Sequence, residues 1–215
     1  MPSPFLSASE VFSIREQFGT PVYVYDRETL EQTAQIALAF PSAFGLTVRF
    51  AMKSLPSGAI LQLFHRAGLH LDASSGYEAK RALIAGIPAN HIQITAQELP
   101  INLKELVEQG CLFNACSLRQ LEVYGGMFPG AEVSIRVNPG LGSGHSNRTN
   151  VGGPSSSFGI WHEYLEEAKQ IAEKHDVRIT GMHTHIGSGA DPDVWLHCAN
   201  QIGRASCRER VCHRV

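Results

Sequence analysis

The chain has no hydrophobic run of membrane-spanning length and no block of one charge. Eighteen basic residues against twenty acidic ones leave a net charge of −2. That balance argues against a nucleic-acid partner or an anionic membrane surface. Residues 1–10 lack the charged start and apolar centre of a secretory signal. Five cysteines are present with no C-x-x-C pair, so buried free thiols in a reducing cytoplasm are expected. No glycine-rich loop follows Met52, where an open doubly wound sheet would carry one after its first strand.

What is present is an ordinary globular composition, 43% hydrophobic over 215 residues, enough for a real core. A complete β/α barrel usually needs about 250 residues, so the chain looks short for one. Residues 48–52 alternate, with Val48, Phe50 and Met52 set against Arg49 and Ala51, which suits a strand. Lys53 follows at the end of that strand, the catalytic rim of a barrel. A desolvated lysine there can lose its proton and form a Schiff base. The plainer reading is a solvated lysine at a strand end.

The pattern then repeats. Residues 22–25 are rich in β-formers, and Asp26 offers an N-cap for a helix running to Phe40. Helices are expected over 58–67, 77–85, 103–109, 118–127 and 164–174. Strands are expected over 69–73, 92–95, 112–115, 133–137 and 177–183. Gly68, Gly86 and Gly110 fall where C-cap glycines belong. Alternating strands and helices mean βαβ units and a parallel sheet. Counted from Thr47, six strands end in Lys53, Asp72, Thr95, Asn114, Arg136 and the pair His183/His185. Polar groups at one end of otherwise apolar strands favour a barrel with an apolar interior.

His183 and His185 are two apart and can face one cavity. An H-x-H pair can hold zinc in a barrel hydrolase. The following Ile-Gly-Ser-Gly instead suits close approach to a phosphate. Two buried, hydrogen-bonded histidines are the plainer reading. Asp72 can orient a histidine or a cationic ring nitrogen, or it or Ser75 can simply cap a helix. Arg136 keeps its charge at any accessible pH and can hold a phenolate-like oxygen or an ion-pair partner. The long, glycine-rich stretch 138–157 opens at the same rim and is read as a substrate-covering loop, with a floppy insertion as the alternative.

Six stretches occur in one order. They are Gly19-Thr20-Pro21-Val22-Tyr23-Val24-Tyr25-Asp26, Phe50-Ala51-Met52-Lys53 and Asp72-Ala73-Ser74-Ser75-Gly76-Tyr77-Glu78. Next come Arg136-Val137-Asn138-Pro139-Gly140, Ser157-Phe158-Gly159-Ile160 and His183-Thr184-His185-Ile186-Gly187-Ser188-Gly189. Together they resemble the fold-type III pyridoxal-phosphate-dependent amino-acid decarboxylases. The resemblance implies an α/β fold, a (β/α)8 TIM barrel of the alanine-racemase/ornithine-decarboxylase type, truncated here after about six strands. It implies pyridoxal 5'-phosphate as cofactor, no resident metal, and a small amino-acid substrate. The first expectation is decarboxylation of meso-diaminopimelate to L-lysine. Arginine, ornithine or carboxynorspermidine, or a non-catalytic cofactor-binding barrel, are the alternatives.

By the same resemblance Lys53 holds the cofactor aldehyde and His185 stacks on the ring. Ser188 meets the phosphate, while Asp72, Glu78 and Arg136 support the ring-side network. A cytoplasmic homodimer is implied, with neither nucleic acid nor membrane as partner. Residues 1–46 are read as a lead, a strand belonging to a C-terminal β-domain, and a first helix. Residues 47–200 are read as an incomplete cofactor-binding barrel. Residues 201–215, crowded with Arg204, Arg208, Arg210 and Arg214, show no helical or strand periodicity. Their back-translation resembles a sequencing adapter, so they are read as an artefact. A chain of this extent is expected to be inactive by itself and prone to aggregate through open sheet edges.

Overall fold

A computed structural model of the chain describes residues 5–142, 152–153, 156–187, 189 and 191–208. Five strands lie side by side in chain order: β1 (Arg49–Ala51), β2 (His70–Ala73), β3 (Ile92–Ile94), β4 (Leu112–Ala115) and β5 (Glu132–Asn138). All pair in parallel. A two-residue strand, β6 (Ile160–Trp161), pairs with the last two residues of β5. β7 (Arg178–His183) pairs with residues 132–136 of β5. Helices α1 (Ala8–Phe18) and α2 (Arg27–Leu38) precede the sheet. The crossovers are α3 (Gly58–Ala67), α4 (Gly76–Ile84), α5 (Leu103–Glu108), α6 (Leu118–Met127) and α7 (Leu165–Lys174), and α8 (Pro192–Arg208) follows β7. The strand order never reverses along β1 to β5, which is the wall of a barrel and not a doubly wound sheet. Among the described residues no ladder joins β1 to β7.

The turns are set locally. Gly68, Gly86 and Gly110 take φ of 107°, 82° and 104°, which only glycine adopts without strain. Each is followed by an apolar residue whose N–H reaches back to close the helix: Leu69 to Phe64, Ile87 to Ala82 and Cys111 to Leu106. These residues are buried, so one device ends the helix and aims the chain at the next strand. The starts of α4 and α6 are also twins. Ser75 Oγ accepts from Glu78 N, and Ser117 Oγ accepts from Gln120 N.

The core lies between sheet and helices. Leu71, Ala73, Ile92 and Ile94 are fully buried on the outward faces of β2 and β3 and pack in one cluster with Leu61, Leu103, Leu106 and Leu121. Each large aliphatic side chain buried this way contributes roughly 2 kcal/mol. The alternate residues face inward, and they are polar: Arg49, Asp72, Gln93, Thr95, Ser134 and His183 line a cavity of about 570 Å³ inside the curved sheet. The apolar interior expected from the sequence is therefore wrong. The apolar alternates serve the helix side.

Other elements differ from the sequence reading. Residues 22–25 form no strand and are exposed, since no neighbouring strand among the described residues pairs with them. Helix α1 was not anticipated; it starts on a Ser7–Glu10 capping box and buries none of its residues. The pair Ile160–Trp161 is too short to carry a periodic signal. Helix α8 runs through Arg208, across the boundary set at residue 200. Alanine, glutamine and arginine propagate a helix once Pro192 has begun it. Residues 209–215 lie outside the described residues.

Candidate functional site

β1 ends in a 3-10 turn, Met52–Ser54, so Met52 turns into the core while Lys53 stays at the rim. The Ser54 hydroxyl donates to Ala51 O at 2.8 Å and tightens that turn. Lys53 lines a cavity of about 250 Å³ with Asp72, Thr95, Gln97, Arg136, Phe158, His183 and His185. The ends of five strands, β1, β2, β3, β5 and β7, thus converge where the spacing placed them. Lys53 is exposed, which is the solvated strand-end lysine of the plainer sequence reading and not the desolvated one, because among the described residues no strand pairs with the outer edges of β1 and β7.

A hydrogen-bonded chain crosses the sheet below the rim. Thr95 Oγ1 donates to Asp72 Oδ1 at 2.6 Å. Asn114 Nδ2 lies 3.4 Å from Thr95 Oγ1 and 3.0 Å from His183 Nδ1. Asn114 is fully buried, and among the described residues its Oδ1 has no partner. Asp72 therefore does not cap a helix; its carboxylate faces the interior, and Ser75 does the capping.

Arg136 is held from the other side. Its guanidinium sits 5.1 Å over the Phe158 ring. Gly159, at φ 84°, lets Phe158 reach that place, since a Cβ there would lie 3.0 Å from Asn138 N and 3.1 Å from Arg136 O. Asn138, buried, ties down the base of the long loop: its Nδ2 donates to Gly153 O at 3.2 Å and Ser156 O at 3.3 Å, and its Oδ1 accepts from Gly140 N at 3.0 Å. The substrate-covering role assigned to 138–157 falls on 143–151 and 154–155, which lie outside the described residues.

Burial dominates the electrostatics. It pushes His183 down to about 4, helped by the charge of Arg136 and by His185. His185 is also lowered by burial, then by Arg136 and Lys53. Asp72 is raised by burial, against the opposing pull of the Thr95 hydrogen bond, Arg49 and Lys53. The site thus combines an amine, a guanidinium, a carboxylate and two imidazoles held toward the neutral form.

Of the residues singled out in the sequence, Lys53, Asp72, Arg136 and His185 come together. Glu78 does not join them. Its carboxylate accepts from Ser74 N at 2.7 Å, and Gln120 does the same for Cys116 N at 2.7 Å on the twin helix. Glu78 is a helix-start residue by this geometry. Ser188 lies outside the described residues. His183 and His185 share the cavity, but the groups beside them are Lys53 and Arg136. Among the described residues no three His, Cys, Asp or Glu gather as metal ligands, and no helix is long and apolar enough to cross a membrane.

Sequence reasoning missed Gln97 and Phe158 as lining residues. Gln97 continues the inward alternation of Gln93 and Thr95, so period two alone would have found it. Phe158 carries no local signal, because its place is set by Gly159 and β5.

Comparison with known proteins matches residues 27–206 to the pyridoxal-dependent decarboxylase, pyridoxal binding domain. The diaminopimelate decarboxylase of Streptomyces coelicolor is 39% identical over 180 residues, 81% of this chain and 40% of that protein. The Escherichia coli diaminopimelate decarboxylase is 37% identical over 191 residues, 86% of this chain and 44% of that protein. A solved diaminopimelate decarboxylase superposes with a TM-score of 0.82 at 34% identity, covering 93% of this chain and 48% of that one. The arginine decarboxylase of Paramecium bursaria Chlorella virus shares the fold, with a TM-score of 0.80 at 18% identity. The chain spans less than half the length of these diaminopimelate decarboxylases.

Proposed function

The chain belongs to the pyridoxal-dependent decarboxylases, as their pyridoxal-binding domain, and from that premise we propose that the whole protein decarboxylates meso-diaminopimelate to L-lysine. The observation that carries this reading is the convergence of Lys53, Arg136, Asp72 and His185 on one cavity at the C-terminal ends of parallel strands.

The residues present fit pyridoxal 5'-phosphate by their chemistry. A primary amine is available to the aldehyde, a flat imidazole to the ring, and a guanidinium to an anionic oxygen. When bound, that group supplies the electron sink for the carbon that loses its carboxylate. The protein's own part is to hold and orient. Lys53, on a short turn braced by Ser54, would hold the aldehyde through its amine. His185, lowered by burial, Arg136 and Lys53, offers a neutral ring face to a flat ligand. Arg136, fixed over Phe158, keeps a positive charge aimed inward without swinging to solvent. Asp72, pinned by Thr95, balances these cations.

A cytoplasmic homodimer accompanies this reading. Cys111, Cys116 and Cys198 are free and buried, as thiols in a reducing compartment are. Tyr77 and Ile101, exposed beside a rim groove of about 650 Å³, are available to a second copy.

The test is borohydride reduction of the protein with pyridoxal phosphate, followed by peptide mapping. Label at Lys53 supports the assignment, whereas label confined to Lys80 or Lys104 overturns it. Carbon dioxide release from meso-diaminopimelate by the whole protein, compared with arginine and ornithine, tests the substrate. The 215-residue chain by itself is expected to show no turnover, because its sheet is open beside Lys53. Turnover matching the whole protein would refute that.

A further inference from the structure

We infer that Thr95 and Asn114 are positioning residues that lock His183 in one tautomer, with its proton on Nε2 as a donor at the cavity. The order of donors decides it. Asp72 is raised by burial but, facing Arg49 and Lys53, serves as an acceptor for the Thr95 hydroxyl at 2.6 Å. A hydroxyl has one proton, so Thr95 Oγ1 spends it on Asp72 and is left able only to accept. Its next neighbour is the Asn114 side-chain amide at 3.4 Å, which must therefore present its NH2 and not its oxygen.

The second proton of that NH2 points at His183 Nδ1, 3.0 Å away. An amide N–H donates, so Nδ1 is the bare nitrogen and the ring proton sits on Nε2. The reversed amide would set two acceptors against each other at Thr95 and leave the NH2 buried with no partner. The present arrangement orphans only Asn114 Oδ1, and an unpaired carbonyl oxygen is the milder defect. Nothing in this chain of bonds rests on a bound ligand.

The consequence for the site is a matched pair of donors. His183 lines the cavity with Arg136, and with Nδ1 taken by Asn114 its Nε2 is the ring nitrogen left to donate. A neutral N–H beside a guanidinium suits an anionic oxygen of a ring-shaped ligand. It does so without adding a further charge next to Lys53. This last step rests on the proposed cofactor reading, whereas the tautomer does not.

The experiment is long-range proton–nitrogen correlation NMR on the ligand-free chain with 15N-labelled histidine, His183 being assigned by its loss in His183→Gln. The expected spectrum shows one protonated Nε2 and one bare Nδ1 for His183. In Thr95→Val, which removes the hydroxyl but keeps the shape, that single tautomer is expected to give way to a mixture. Thr95→Ser keeps the hydroxyl and is expected to restore the original spectrum. A His183 ring protonated on Nδ1 in the unsubstituted chain overturns the inference before any variant is made. So does a Thr95→Val spectrum identical to the parent. Failure of pyridoxal phosphate to label Lys53 would refute the functional reading and leave these spectra unaffected.

Discussion

The guanidinium of Arg136 lies 5.1 Å from the centre of the Phe158 ring, joining β5 to the residues just before β6. A buried cation over an aromatic face gains roughly 1–2 kcal/mol. Phe158→Leu, which keeps apolar bulk but removes the ring face, is expected to lower the unfolding free energy by about 1 kcal/mol. Phe158→Tyr should be near neutral. Urea titration of both, with Arg136→Met to close a double-mutant cycle, checks whether the loss is specific to the pair.

Gly159 makes that contact possible, and alanine there meets two obstacles. Its φ of 84° is unfavourable for a side chain by about 1–2 kcal/mol. Its Cβ would also crowd Asn138 N and Arg136 O, which are backbone atoms and cannot swing aside. Gly86→Ala is the control, with a similar φ of 82° and open space around the added methyl. Thermal unfolding is expected to show Gly159→Ala the lower of the two by several degrees. Equal midpoints would remove the crowding from the account.

Acid is expected to weaken the fold. The folded chain holds His183 at about 4, below the ordinary 6.5. The unfolded chain therefore takes up the proton first, and stability is intact above about pH 6.5 and lost as pH falls towards 4. That gap corresponds to roughly 3 kcal/mol at 1.36 kcal/mol per pH unit. His65 and His70, both lowered by burial and by His91, act in the same sense. Asp72, raised by burial, opposes them over the lower part of the range. Unfolding free energies measured between pH 7 and 4 should decline, and His183→Gln should flatten the decline. A flat profile in the parent chain contradicts the assignment.

Cys111 and Cys116 are each pushed up to about 11, in both cases first by burial. Arg136 pulls Cys116 the other way without overcoming it. Only the thiolate reacts with alkylating reagents. Iodoacetamide at pH 8 is therefore expected to leave both unmodified in the folded chain and to label both in urea, as read by peptide mass mapping. Rapid native labelling of Cys116 would mean that Arg136 controls it.

The capped turns were legible because they are local. Gly68, Gly86 and Gly110 end helices through dihedrals that their own backbone dictates, and Asp26 starts one through its own side chain. The alternation of Arg49 and Ala51 against Val48, Phe50 and Met52 likewise determined which residues share a face. It did not determine which face was the inside of the barrel, and the polar set turned out to line it. Lys53, Asp72, Arg136 and His185 were visible as strand ends, and the parallel register brought them into one cavity. Glu78 was ambiguous, because a carboxylate in the first turn after a strand end looks the same in sequence whether it faces a ligand or, as here, the Ser74 amide. Asn114 and His183 are 69 residues apart, and no periodicity links them. Their contact exists because β4 and β7 flank the same strand, β5, so that side chains on one face of the sheet meet across it. Local chemistry determined the elements and their ends; the order and register of the strands alone decided which polar ends would meet.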